Sequence, residues 1–158
     1  MHTYTLEREQ IIPRSRSETF GFFCDAFNLQ RLTPSFVNLQ VLTPPPINMG
    51  AGVLLDYQLS LFGVPIKWRT LVTEWSPNDG FVDEEIRGPF AMWRHTHKFE
   101  ELAPDWTLMR DHVLYQLPLG LIGRLAHPVI VGPALKRIFD YRSMTISALF
   151  PENGHVQE

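Results

Sequence analysis

The stretch from residue 53 to residue 117 permits few folds. It divides into runs of strand character: "VLLDYQLSL" (53–61), "IKWRTLVTEW" (66–75), "FVDEEIR" (81–87), "AMWRHTHKFEEL" (91–102) and "WTLMRDHVLYQL" (106–117). The connections "FGVP", "SPNDG", "GPF" and "APD" are short and rich in turn-forming residues. A parallel crossover needs about a dozen residues, so consecutive strands pair antiparallel as a meander. Val53, Leu55, Tyr57, Leu59 and Leu61 share one parity, and Ile66, Trp68, Thr70 and Val72 share another. Each of these strands therefore offers one face to a core.

The flanks supply the other elements. Residues 3–12 read as a strand with Tyr4, Leu6 and Ile12 on one parity, ended by Pro13. Ser15 and Glu18 have capping-box spacing, which predicts a short helix through "ETFGFFCDA". Asn28 can cap a second short helix, "LQRLT", stopped by Pro34. A short strand is expected near "VNLQVL" (37–42). Near the C-terminal end, Pro133 suits a first helical turn. Leu135, Ile138, Phe139, Arg142, Ile146 and Leu149 then recur at steps of three or four. Residues 119–128 read as a separate short helix. The order β-α-α-β-β-β-β-β-β-α is that of an α+β fold. A curved antiparallel sheet wraps a long C-terminal helix, with two short helices after the first strand. Such a sheet leaves a volume beneath the helix that can hold a ligand.

The length suits a single domain, residues 1–158 with its core at 3–150. A formal net charge of −3, with no long basic run, argues against nucleic acid as a partner. The lone cysteine, Cys24, excludes an internal disulfide, and the N-terminus is too polar for a signal peptide. Both features lead us to expect a cytoplasmic protein. The most apolar stretch, residues 117–135, is interrupted by Arg124, prolines and glycines, so it does not read as a membrane span. Pro118, Gly120 and Gly123 read first as loop chemistry; the functional alternative is a mobile lid at 117–132 able to make transient membrane or protein contact.

"WRHTHKFEE" (93–101) carries the most chemistry. On a regular strand Trp93, His95, His97 and Phe99 share a face, and their apolar company marks it as concave. Asp111, Val113 and Tyr115 form the inward set of the next strand. On the preceding strand, Phe81, Asp83, Glu85 and Arg87 compete with Val82, Glu84 and Ile86 for the inside, because a one-residue slip exchanges the two sets. With Phe81 inward, Asp83, Glu85, Arg87, His95, His97 and Asp111 make one polar patch. Tyr57, Trp68, Trp93, Phe99 and Tyr115 then pack the apolar remainder of a ligand.

"FGFFCDAFNLQRLTP", "WRTLVTEWSP", "FVDEEIRGPFAMWRHTHKFEE", "MRDHVLYQLPLG" and "IFDYR" together resemble the START-like, or SRPBCC, superfamily. The resemblance is to its polyketide cyclase/dehydratase type and to a bacterial subgroup of ligand-binding proteins. It spans residues 3–150 and implies the helix-grip fold. It also implies a pocket for a small hydrophobic or amphipathic molecule: a lipid, a polyketide or an aromatic compound. It implies no shared catalytic set, no metal and no cofactor.

Four readings of the patch follow. In the first, it orients the polar end of a bound ligand without chemistry. In the second, His95 or His97 is a base oriented by Asp111, with Arg87 or Tyr115 stabilising negative charge, as a cyclase or dehydratase requires. A third makes the imidazoles and a carboxylate from Glu85 or Asp111 metal ligands. In a fourth the histidines are structural, one bonded to a carboxylate and the other to a backbone carbonyl or water. Apart from the patch, the domain also reads as a regulatory module whose 117–132 surface binds a partner. Lys136, Arg137 and Arg142 read as a solvated helix face, and Cys24 as an inert core thiol.

Overall fold

The computed structural model describes residues 1–152. Its strands are β1 (Thr3–Ile12), β2 (Gln40–Val41), β3 (Leu54–Leu61), β4 (Val64–Ser76), β5 (Gly80–Arg87), β6 (Met92–Ala103) and β7 (Trp106–Gln116). They form one antiparallel sheet in the order β1-β7-β6-β5-β4-β3-β2. From β3 to β7 the sheet is the expected meander, and β1 closes it against β7. The turn between β3 and β4 is tighter than "FGVP" suggested. Only Phe62 and Gly63 lie outside the strands, at φ 51° and 78°. Positive φ at both central residues matches the right-handed twist of a two-residue hairpin.

Helices α1 (Arg16–Cys24) and α2 (Asn28–Arg31) follow β1. Ser15 and Glu18 form the expected reciprocal capping box. Asn28 is not a cap, however. It lies inside α2 and donates from Nδ2 to the Phe22 carbonyl at 2.9 Å, fastening α2 to α1. The C-terminal helix differs more. It runs without a break for 30 residues, as α3 (Gly120–Ala126), a π-helical turn (His127–Val131) and α4 (Gly132–Leu149). Pro128 and Pro133 lack the N–H a regular helix needs, and the widened turn carries the chain past both. The lid expected at 117–132 is thus mostly helix.

Helix α4 crosses the concave face of the sheet. At one end Leu135 and Phe139 pack on Trp93, Val113 and Tyr115. At the other, Ile146 packs among Ile12, Phe20, Phe81, Phe99 and Met109. Arg142, at the same helical spacing, lies between these two apolar contacts. A third cluster, built on Ala26, Leu55, Tyr57 and Val72, shares Trp68 with the first of these contacts and Trp75 with the second. Ile146 is 1 % exposed and Met144 is 65 % exposed. Ile146→Ala is expected to cost about 2–5 kcal/mol in urea denaturation, and Met144→Ala less than about 0.5 kcal/mol.

Candidate functional site

Strand register decides which residues face the helix. Asp83 lies opposite both His95 of β6 and Val72 of β4, and Phe81 lies opposite His97. His97 in turn lies opposite Asp111 of β7. Since Val72, His95, His97 and Asp111 are buried, the Phe81 and Asp83 parity is the inward one. Ile86, on the alternate parity, is 54 % exposed. Register shifts in β4 around Thr70 and between Val72 and Glu74 keep this alignment as the sheet bends.

A cavity of about 180 Å³ opens beneath α4. Tyr57, Trp68, Trp93, Leu135 and Phe139 supply much of its apolar wall, and Asp83, His95 and His97 a polar one. Behind the polar wall the groups form a chain. His95 Nε2 lies 2.8 Å from Asp111 Oδ1, and His97 Nε2 lies 2.9 Å from Asp83 Oδ2. His97 Nδ1 is 3.2 Å from Asp111 Oδ1, close enough for charge attraction but not aligned as a hydrogen bond. The two imidazoles are 3.7 Å apart between centroids. Arg142 reaches down from α4 and donates from Nε and Nη2 to Asp111 at 3.2 and 3.3 Å.

Electrostatics divides the roles. Burial pushes the Asp111 carboxyl up, but Arg142, His95 and His97 together hold it well below the usual carboxylate range. Asp83 is also lowered, because its bond to His97 and the nearby cationic groups outweigh its burial. His95 moves down, through burial and then the charge of His97, despite Asp111. His97 moves up, since Asp111 and Asp83 outweigh its burial. These directions favour ionised Asp83 and Asp111 and put a proton on His97 ahead of His95. With Asp111 ionised, His95 must donate from Nε2. Its Nδ1 then carries the lone pair, and it has no protein partner among the described residues.

The other expected residues take different places. Asp111 sits behind the imidazoles rather than on the cavity wall. Phe99 lies in the packed cluster around Ile146. Tyr115 bonds through its hydroxyl to His127 Nε2 at 2.7 Å, beside Tyr4. Glu85 accepts from the Phe90 N–H at 3.1 Å and braces the turn between β5 and β6. Its carboxyl is pushed up to about 7 by burial, and a Cβ at Gly88 would lie only 2.5 Å from it. Arg87 is exposed at the end of β5, so neither it nor Tyr115 stands at the polar wall. Cys24 is half-buried, and burial raises its thiol to about 12.

Arg142 is the residue the sequence reading misplaced. It is 6 % exposed rather than solvated, and its place on the apolar stripe of the last helix was the available signal. Asp83, His95 and His97 also offer ligand atoms within 4.8 Å of one another, so the carboxylate of that trio is Asp83 rather than Glu85 or Asp111. His97 Nε2 and Asp83 Oδ2 are spent on each other, and His97 Nδ1 is drawn to Asp111, so His97 turns no uncommitted nitrogen to an ion. The set fits an ion-pair network better than a three-ligand centre.

At pH 7, long-range ¹H–¹⁵N spectra should show His97 doubly protonated and His95 as the neutral Nε2–H tautomer. Asp111→Asn should cost about 3–5 kcal/mol in denaturation, because it strands the Arg142 charge. Asp83 and Asp111 bind protons more weakly folded than unfolded. Their contribution is therefore full above the unfolded value of about 3.9 and fades as acid takes pH down through the lowered folded values. His97 has the opposite sign, and its contribution is lost as pH rises through its raised folded value.

No protein-family model matches this chain, and no curated protein does. Solved structures do. The Zhui aromatase/cyclase from Streptomyces sp. R1128 superposes with a TM-score of 0.75 at 9 % identity, over 98 % of both chains. TTHA0849 from Thermus thermophilus gives 0.70 at 15 % identity, over 92 % of this chain and 99 % of that one. A START superfamily protein from Mycobacterium smegmatis gives 0.66 at 14 % identity, over 92 % and 98 %. With its seven-stranded curved sheet gripping a long C-terminal helix, the chain has the START/SRPBCC helix-grip fold.

Proposed function

We propose that this protein binds a compact amphipathic molecule in the cavity under α4, its apolar part among aromatic rings and its polar end at the Asp83, His95 and His97 wall. The observation that carries this reading is the mixed lining: His95, His97 and Arg142 bring buried ionisable groups to the wall beside Asp83, and most of the remaining lining is apolar. Size limits the ligand. A cavity of about 150 Å³ admits benzene, so 180 Å³ suits one or two rings or a short chain. Trp68 and Trp93 stand 5.3 Å apart edge to face, ready to report an occupant by fluorescence. Solved neighbours titled aromatase/cyclase and norcoclaurine synthase agree with a small organic ligand.

A second reading rests on the neutral His95 held by Asp111. An imidazole oriented by a carboxylate, with a free lone pair beside a cavity, has the arrangement of a general base. It supports proton transfer on a polyketide-like substrate, the chemistry class of the aromatase/cyclase neighbour.

Native mass spectrometry and tryptophan quenching with small aromatic and lipid probes test binding. A hydroxylated bicyclic arene should bind, and Leu135→Trp, which fills the cavity, should abolish the signal. Absence of binding across all probe classes would refute the ligand-binding reading. Should a substrate turn over, His95→Gln should lower kcat by about 10²–10⁴-fold. Unchanged turnover in that variant would remove His95 from the chemistry.

A further inference from the structure

We propose that one end of the sheet, together with the start of the C-terminal helix, docks on the surface of an anionic lipid bilayer. Topology puts two separate apolar elements at that end. Gln116, the last residue of β7, lies opposite both Thr3 and Met92, the first residues of β1 and β6. In an antiparallel sheet this is also the end at which β3 turns into β4. The β3–β4 tip and α3 therefore leave the sheet on the same side. Phe62 at the tip is 79 % exposed. Leu119 is 74 % exposed, Leu121 69 %, Ile122 68 %, Leu125 68 % and Val129 75 %. Steps of four along the helix put Leu121, Leu125 and Val129 close to one line. An apolar surface of this extent on a charged chain calls for a partner.

Charge identifies the partner. The chain has 17 acidic residues, yet none falls in 57–73, 86–99 or 112–139, the segments that build this end. Lys67, Arg87 and Arg124 are exposed there; Arg124 has no carboxylate partner among the described residues, and Lys67 and Arg87 act on Asp56 only at a distance, without a salt bridge. Arg69 and Lys136 are engaged by Asp56 and Asp140. Apolar side chains flanked by cations that form no salt bridge, on segments cleared of carboxylates, match an anionic interface. A second copy of the chain fits less well, since a two-fold contact would set the same cations against each other. No described helix is long and apolar enough to cross a membrane, so the contact is with the surface. One turn beyond Val131, α4 lines the cavity with Leu135 and Ile138, so the proposed contact lies on the helix that roofs the cavity.

Co-sedimentation of the whole protein with phosphatidylcholine vesicles, with and without phosphatidylglycerol, tests this. Binding should require phosphatidylglycerol and weaken with salt. Phe62→Ser should reduce partition, and so should Leu121→Ser combined with Leu125→Ser. Arg124→Glu should lower it by about fivefold or more. All these positions are exposed, and thermal melts of the variants should match the parent. No partition, or partition unchanged by the substitutions, overturns the proposal. Equal partition onto phosphatidylcholine alone overturns its electrostatic part. A dimer in sedimentation velocity that the same substitutions dissolve assigns the surface to a second copy instead. The readout needs no cavity ligand, so this proposal and the ligand-binding reading fail independently.

Discussion

The contact between Arg142 and Asp111 organises this molecule. Arg142 cannot lose its charge at any ordinary pH, and only helix α4 carries it. Asp111 sits 5 % exposed in the middle of the sheet, where an isolated carboxylate would take up a proton. The two stabilise each other's charged state, and they do so across the interface between helix and sheet. Hydrophobic contacts on either side, Phe139 toward one end and Ile146 toward the other, set the height of the helix. The ion pair fixes its rotation and register, because no neighbouring position on α4 presents a cation to Asp111.

A permanently ionised Asp111 then dictates the state of the histidines. His95 must turn a nitrogen bearing hydrogen toward it, which exposes the other nitrogen as an acceptor. His97 lies between two carboxylates, 2.9 Å from one and 3.2 Å from the other, and keeps a proton. Two carboxylates are thus balanced by one guanidinium and, while His97 holds its proton, one imidazolium. Two imidazoles 3.7 Å apart would repel if both were charged, so their unlike states are part of the balance. With His97 protonated, the patch as a whole offers hydrogen-bonding capacity without net charge.

Much of this was legible in the sequence, and the limits have physical reasons. Short turns and alternation give the meander, because antiparallel pairing follows from turn length. The facing of His95 and His97 followed from their apolar neighbours, Trp93 and Phe99, on the same parity. The inward face of 81–87 was not readable. It depends on register shifts around Thr70 and before Glu74, where the pattern of neither strand announces an extra residue. Arg87 and Glu85 were drawn into the patch for the same reason: alternation carried past the end of pairing with β6, which stops at Glu84. Tyr115 sits on the expected face but beyond the cavity, at the level of His127. Arg142 was visible as an anomaly on an apolar stripe, and a charged residue at such a position is better read as half of a buried pair whose partner lies elsewhere.

The buried groups left without partners constrain what the cavity is suited to hold. Among the described residues, Trp68 Nε1 is buried, has no hydrogen-bond partner and belongs to the cavity wall. His95 Nδ1 adds an unpaired acceptor on the polar side. Each such group costs about 1–3 kcal/mol while unpaired. A purely apolar occupant would lock in those penalties by excluding any other partner. An occupant with a donor for His95 and an acceptor for the indole would relieve them, and would gain the apolar burial as well. The free-energy difference between the two kinds of ligand is then set by the protein's own unpaired atoms. The proposed preference for amphipathic molecules rests on that difference rather than on the cavity's volume.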